Sequence, residues 1–286
     1  MIQLGLTFSD AEGRLPTADG EPYSTWQFNF MFDLAADLYA ADSVQFLQKN
    51  GLDFDQHQQQ GIDVTLFGEL LMSSGIVLND EVRWIAFQGK YDFAYLVKVL
   101  TCDHLPQRQE QFFDLLQTYF PHLYDLRWLV HLIQREGITT DDSADDPLSR
   151  GARERGLEDL ANKLNVPRVG QAHQAGSDSL LTEKTFFALV RAYLPNLLNE
   201  GESEPESEPS PDKRKVGRSE LANILHGLGR GFFRVEKDTV PQPPVEAEPK
   251  GRPPVVPPPA PGRQPFPPIS GAIRLVVPTG RVTVQE

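Results

Sequence analysis

Two hydrophobic periods alternate along this chain, and together they lay out a mixed α/β domain. Residues 1–8 read as a short strand, and Thr25-Trp26-Gln27-Phe28-Asn29-Phe30 alternates with period two. A hairpin of the two across the turn-rich run from Asp10 to Tyr23 is the natural pairing. Helical spacing predicts a helix over 42–50, with Asp42 or Ser43 as cap and Gly51 as stop. A second helix is expected over 62–73, carrying Phe67, Leu70 and Leu71 on one face. Next come a strand at 81–87, helices at 91–100 and 107–119, a strand at 122–125 and a helix at 127–135. Helices over 156–164 and 177–194 present Leu157, Leu160 and Leu164, then Leu180, Leu181, Phe187, Val190 and Leu194, to a core. Strands alternating with short helices argue for an α/β sandwich and against a bundle.

The pattern breaks after Asn199. Residues 200–219 are a low-complexity acidic and basic linker, and 220–230 hold one more expected helix, near Glu220–Leu228. Residues 231–286 are expected to be a disordered tail, proline-dominated from Pro241 to Pro268, whose composition cannot bury a core. Within that tail Ile273 to Val277 is strand-like, with no partner evident from the sequence. The domain proper is therefore 1–199.

Composition and charge narrow the function. The single cysteine, Cys102, excludes a disulfide framework and suits a reducing cytosol or nucleus, so a cytoplasmic and nuclear protein is expected. Met1-Ile2-Gln3-Leu4-Gly5-Leu6 has no basic leader, and no apolar run is long enough to cross a bilayer, so no membrane partner is expected. The net charge of −13 is uneven: residues 1–199 carry 15 Lys+Arg against 28 Asp+Glu, whereas 200–286 carry 12 of each. Such a surface does not attract polyanions by its general field, so nucleic-acid binding has to be local, for instance through a bound cation. A metal-dependent nuclease stays open on this count.

Candidate chemistry begins at Ala172-His173-Gln174-Ala175-Gly176-Ser177-Asp178, an imidazole five residues before a carboxylate at a helix start. A helix N-terminus favours a carboxylate, and a metal-binding acid beside a proton-transfer base is a hydrolase arrangement. An ordinary helix start, with Ser177 as cap, accounts for the same residues. The charge run from Asp141 to Asp146 reads as a solvated loop. Asp92, in Gly89-Lys90-Tyr91-Asp92-Phe93, and Asp125, in Leu123-Tyr124-Asp125-Leu126, sit where strands run into helices. Strand ends are where polar groups converge in α/β sheets, although either Asp alone could be a helix cap.

Taken in order, these motifs carry a resemblance. Tyr91-Asp-Phe-x-Tyr-Leu96, then Gly156-Leu-x-x-Leu-Ala-x-x-Leu164, then Arg168-x-Gly-x-x-His-x-Ala-x-x-Asp178 resemble the exonucleases with four acids and a histidine on a ribonuclease H-like fold. The match is closest to the Caf-one/Pop-two deadenylases of the CCR-NOT complex. Ile2-Gln-Leu-Gly-Leu-Thr-Phe8, Ser24-Thr-Trp-Gln-Phe-Asn-Phe30, Phe67 to Gly75 and Gln174 to Thr182 support it, and Leu225-His226-Gly227-Leu228-Gly229 extends it. The resemblance implies a three-layer sandwich with a mixed sheet and removal of poly(A) from the 3′ end of messenger RNA. It also implies two divalent cations, Mg2+ or Mn2+, about 4 Å apart, clamping the attacking and leaving oxygens. Carried over by position, Asp92 and Asp178 are metal ligands, His173 is the base that deprotonates water, and Asp125 is structural. Gln88 stands where relatives often carry a histidine. Implied partners are poly(A) RNA, the scaffold protein of that complex and its second deadenylase subunit.

One departure matters. Members of the family begin with a strand carrying Asp-x-Glu, central in the sheet, and the present sequence starts inside the strand after it. The expectation is a sheet whose central strand is absent, leaving unpaired backbone groups on both neighbours, low stability and little or no activity. A non-catalytic subunit that retains the scaffold-binding surface is the alternative. A proofreading-type DNA exonuclease shares His-x-Ala-x-x-Asp but lacks the Trp26–Phe30 and Gln174–Thr182 runs.

Overall fold

The computed structural model describes residues 1–18, 21–22, 25–140, 146–148, 156–197, 222–226 and 270–276. In chain order the elements are β1 (Gln3–Ser9), a small hairpin of β2 (Thr17–Ala18) and β3 (Glu21–Pro22), β4 (Thr25–Asn29), and helices α1 (Ala41–Lys49), α2 (Phe54–Gln60) and α3 (Val64–Ser73). Then follow β5 (Arg83–Ala86), α4 (Lys90–Thr101), α5 (Gln109–Tyr119), β6 (His122–Asp125), α6 (Leu126–Glu136), α7 (Leu157–Lys163), α8 (Ala175–Tyr193) and β7 (Ser270–Val276).

The main sheet has the order β4-β1-β7-β5-β6. β1 and β4 form the expected antiparallel hairpin, in the register Gln3↔Asn29 to Thr7↔Thr25. β5 and β6 run parallel. The slot between these halves is filled: β7 pairs parallel with β1 from Gln3↔Ser270 to Ser9↔Val276, and antiparallel with β5 from Arg83↔Val276 to Ala86↔Ile273. Both expectations about this region are corrected. The inner edges of β1 and β5 are paired, and residues 270–276 form a strand where a disordered tail was expected. The physical reason is that two facing edges leave orphaned N–H and C=O groups, and any extended segment that reaches them satisfies both rows at once.

Alternation along the strands sorts side chains into two cores. Leu4, Leu6, Trp84 and Ala86 join Phe93, Leu96 and Phe120 on the face covered by α3, α4 and α5. Trp84 and Phe93 each pack edge-on against Phe120, with ring centroids 4.8 and 5.0 Å away. Ile85 and Tyr124 point the other way, to Leu129, Phe186 and Val190 of α6 and α8. Layering is thus helices, sheet, helices, the expected sandwich. Gly5 is required at this second interface, because a Cβ there would lie 1.9 Å from the Ala175 carbonyl oxygen at the start of α8. Beside it, the hydroxyls of Thr7 and Ser179 are 2.8 Å apart and tie β1 to the same helix.

Three local expectations change. The helix expected near 220–228 is not formed at Ala222–His226; there Asn223 adopts φ 62°, and its N–H donates to the Leu123 carbonyl of β6 at 2.7 Å. The rest of that stretch, like residues 198–221 and 227–269, lies outside the described residues. Asp146 is not solvated: it is buried and accepts hydrogen bonds from Thr140, Leu148 and the Tyr193 hydroxyl. Finally, α2 went unseen because its glutamine run hides any hydrophobic period, although Asp53 caps it by accepting from the N–H groups of Asp55 and Gln56. Among the described residues no helix is long and apolar enough to cross a membrane.

Because, among the described residues, β7 is the one strand hydrogen-bonded to both halves of the sheet, a chain ending at Pro268 should lose its cooperative thermal transition or melt at least ~6 °C lower, the shift expected for losing about 3 kcal/mol in a domain of this size. An unchanged melting temperature by circular dichroism would contradict the pairing.

Candidate functional site

The candidate acids sit in the first turns of two helices that pack on the sheet. Leu6, Ile273 and Ala86 lie in one row across β1, β7 and β5, so Gln3 and Ser270 project past the C-terminal end of β5. At that end Phe87-Gln88-Gly89 lead into α4, whose first turn holds Asp92, and α8 begins over Gly5 with Asp178 in its first turn. α4 and α8 pack on opposite faces and both contact β7. Asp92 therefore follows the end of β5, while Asp178 lies in the turn of α8 that runs beside Gly5 and Thr7 of β1, on the other face of the sheet.

Asp92 is buried, and its Oδ1 has no hydrogen-bond partner. Burial pushes its carboxyl up to about 7, the nearby Asp125 adding to the effect. A buried carboxylate oxygen left unpaired is costly unless something positive meets it.

Asp178 is differently placed. Its Oδ1 accepts from the Arg168 guanidinium at 2.6 Å, the same guanidinium donates to the Ser177 hydroxyl at 3.1 Å, and its Nε pairs with Glu158 of α7 at 2.5 Å. Half-buried ion pairs of this kind hold their geometry because little water competes. Nothing local in the sequence gives Arg168 a role. Its partners come from α7 and α8, which no local pattern connects. Ser177 is not the cap of α8: the helix starts two residues earlier after Gln174, and the Ser177 hydroxyl donates to the Val169 carbonyl.

His173 is exposed in the turn before α8, with the left-handed φ of 66° that histidine tolerates better than most residues. Its ring meets Phe46 of α1 edge-on, centroids 4.8 Å apart. That contact and the turn fix where the imidazole stands.

Asp125 is fully buried and caps three segments. Its oxygens accept backbone N–H bonds from Gln88 at 3.0 Å, Gly89 at 3.2 Å, Arg127 at 2.9 Å and His226 at 3.2 Å. Burial raises its carboxyl to about 6 although all four donors favour the charged form. Each backbone donor left without a partner would cost roughly 1–3 kcal/mol, so this carboxylate is a structural tie. It holds the Gln88–Gly89 turn that launches α4, and thereby places Asp92. Gln88 contributes its backbone there, with a left-handed φ of 60°.

Among the described residues no group of three or more His, Cys, Asp or Glu side chains could hold a metal. The orphaned Asp92 oxygen fits a cation. Asp178 is already met by a guanidinium, and the strand between them, Ser-Gly-Ala-Ile-Arg-Leu-Val, brings no carboxylate.

A family model described as CAF1 family ribonuclease matches residues 79–186, a stretch containing Asp92, Asp125, His173 and Asp178. The chain is 47% identical over 196 residues to "Probable CCR4-associated factor 1 homolog 10" of Arabidopsis thaliana, a match spanning 68% of this chain and 65% of that protein. It is 38% identical over 229 residues to "Poly(A) ribonuclease pop2" of Schizosaccharomyces pombe, spanning 80% of this chain and 56% of the relative. The chain thus spans less than two thirds of the length of either. Among solved structures, S. pombe Pop2p in its Mg2+- and Mn2+-bound form superposes with a TM-score of 0.62 at 38% identity, covering 79% of this chain and 74% of that one. CAF1 in the yeast structure co-crystallized with the NOT1 MIF4G domain gives 0.53 at 36%, covering 66% of each.

The pH response of Asp92 can be measured. A carboxyl raised from 3.8 to about 7 on folding costs stability as pH rises between those values, by up to ~1.4 kcal/mol per pH unit. In chelator, Asp92→Asn should therefore be more stable than the parent at pH 8 and match it near pH 4. Equal stability of the two proteins in urea unfolding at pH 8 would contradict a buried, unpaired carboxylate.

Proposed function

The chain belongs to the CAF1 family of ribonucleases, and on that premise we propose that its domain shortens poly(A) by hydrolysis from the 3′ end. The observation that supports the reading is the buried Asp92 carboxylate oxygen with no hydrogen-bond partner in the first turn of α4. In this reading Asp92 and Asp178 are the protein's ligands for Mg2+ or Mn2+, the ions named for the S. pombe structure. A divalent cation held there would stabilise charge on the attacking and leaving oxygens. His173 takes the proton from the attacking water, and its exposure leaves it open to both water and RNA. Arg168 holds the Asp178 carboxylate in place until a cation competes for it.

The same residues set the rate. Two carboxylates are few for two dications, whose mutual repulsion calls for more negative charge, and β7 supplies none. Residues 1–286 by themselves are therefore slow.

A second reading, a non-catalytic subunit that docks on the scaffold, is favoured by one observation: Arg168 already neutralises Asp178. The yeast CAF1 co-crystallized with a NOT1 MIF4G domain makes such a scaffold the natural partner, alongside poly(A) RNA and a second deadenylase subunit. Cytoplasm and nucleus are the proposed compartments.

With protein in excess over 5′-labelled oligonucleotide and Mn2+ present, the expected result is slow 3′ shortening of oligo(A), faster than of oligo(U). Asp92→Ala, His173→Ala and Asp178→Ala should each abolish it. Shortening that survives all three substitutions would sink the site assignment. Retained capture of the MIF4G domain with no shortening at all would select the second reading.

A further inference from the structure

His173 is the candidate base, and among the described residues no hydrogen bond reaches its ring. A general base ordinarily has a third group that orients it, most often a carboxylate or carbonyl on the ring nitrogen away from the reaction. Without such a group, an exposed imidazole spreads over about six orientations, three about χ1 and two about χ2. What meets this ring instead is the side chain of Phe46, edge-on, with centroids 4.8 Å apart and planes at 70°.

Phe46 does not serve the core of its own helix. α1 buries Val44 and Leu47 against Ile2, Phe32 and Phe54, whereas Phe46 lies off that face and is 48% exposed. A single exposed aromatic is ordinary; the group it touches sets this one apart.

The same helix grips the turn that carries His173. Four residues beyond Phe46, and so on the same side of the helix, the Asn50 carbonyl accepts from Gln171 Nε2 at 3.0 Å and from Gln174 Nε2 at 3.1 Å. Those two amides bracket His173 in sequence. A helix C-terminus leaves carbonyls without intrahelical donors, so the tie satisfies α1 as well as the turn. Within the turn Gly170 and His173 hold left-handed φ values of 86° and 66°. Backbone and ring are thus both fixed from α1.

We propose that Phe46 is a positioning residue for His173, with the end of α1 as a shelf that sets the imidazole before substrate arrives. The proposal rests on the reading of His173 as the base of a hydrolase. A ring contact uses neither imidazole nitrogen, so both stay open to water, which a hydrogen-bonded orienting group would not allow. An edge-on pair favours the held orientation by roughly 2- to 13-fold. Val44 and Leu47, buried far from any candidate ligand in sequence, act on the site through this shelf.

The first readout is the ring itself. The six histidines of the full chain are ¹³C-labelled in the ring, and the His173 signals are assigned by their loss in His173→Gln. In the parent they should be displaced from free-imidazole positions by the Phe46 ring current and should relax as a held side chain. Phe46→Ala should return them to free-imidazole positions and add motion, and Phe46→Tyr should restore both. The melting temperature should not change, because Phe46 lies outside the core. If Phe46→Ala does not fold, Phe46→Leu, which keeps apolar bulk without a ring, reads the same shift. In the oligo(A) assay Phe46→Ala should slow shortening ~3- to 6-fold at saturating protein, the factor for freeing the imidazole. The protein concentration at half-maximal rate should stay the same, since Phe46 acts through His173 and not on RNA.

His173 signals that are identical in the parent and Phe46→Ala would overturn the proposal. So would equal rates of shortening in those two chains when His173→Gln has none. A held ring in a chain whose shortening survives His173→Gln would leave the contact standing and sink the assignment of the base.

Discussion

Everything at the candidate site depends on one strand being paired on both sides. β4 and β1 form one half of the sheet and β5 and β6 the other, and among the described residues β7 is the one strand hydrogen-bonded to both. α4 grows from the end of β5, α8 is seated on β1 through Gly5, and each carries one candidate ligand. A central strand has every N–H and C=O paired, so removing it would orphan groups on two neighbours as well as its own.

The second constraint is the Asp125 carboxylate. It gathers amides from the β5–α4 turn, from α6 and from His226, a hundred residues later in the chain. Through it the Leu225-His226 segment becomes part of the domain, with Leu225 fully buried in the core around Trp84. Two buried carboxylates, Asp92 and Asp125, thus play different parts. Asp125 has four donors and holds shape, whereas Asp92 has an unpaired oxygen and a carboxyl raised to about 7. The acid with an unpaired oxygen is the one poised for a ligand.

Much of this was legible in the sequence where local pattern decides structure. Alternation in Thr25–Phe30 gave away β4, and helical spacing located α3, α4, α6 and α8 to within a residue or two at most ends. The acids at strand ends were legible for the same reason, since strand-to-helix junctions are marked locally. Features set by tertiary contact were not. Nothing within Ser270–Val276 names β1 and β5 as its partners, because register across a proline-rich stretch is not a local property. Ala222–His226 reads as helix by spacing, yet Asn223 turns left-handed to pair with β6 and His226 turns in to Asp125. Asp146 sits in an acidic run, and its flanking residues Thr140 and Leu148, together with the distant Tyr193 hydroxyl, draw it inside. Arg168 gained its role from Glu158 and Asp178, residues ten positions away on either side that only the packing of α7 against α8 unites.

The chain's excess negative charge is consistent with recognition that is local, in place of a broad basic surface. That economy works only if the sheet end is rigid, and its rigidity rests on β7. Native-state hydrogen exchange on the full chain tests this most directly. Backbone amides of Ser270–Val276 should exchange as slowly as those of β1 and β5 and share one opening free energy with them. Rapid exchange at 270–276, with β1 and β5 still protected, would show that the strand does not hold the sheet together.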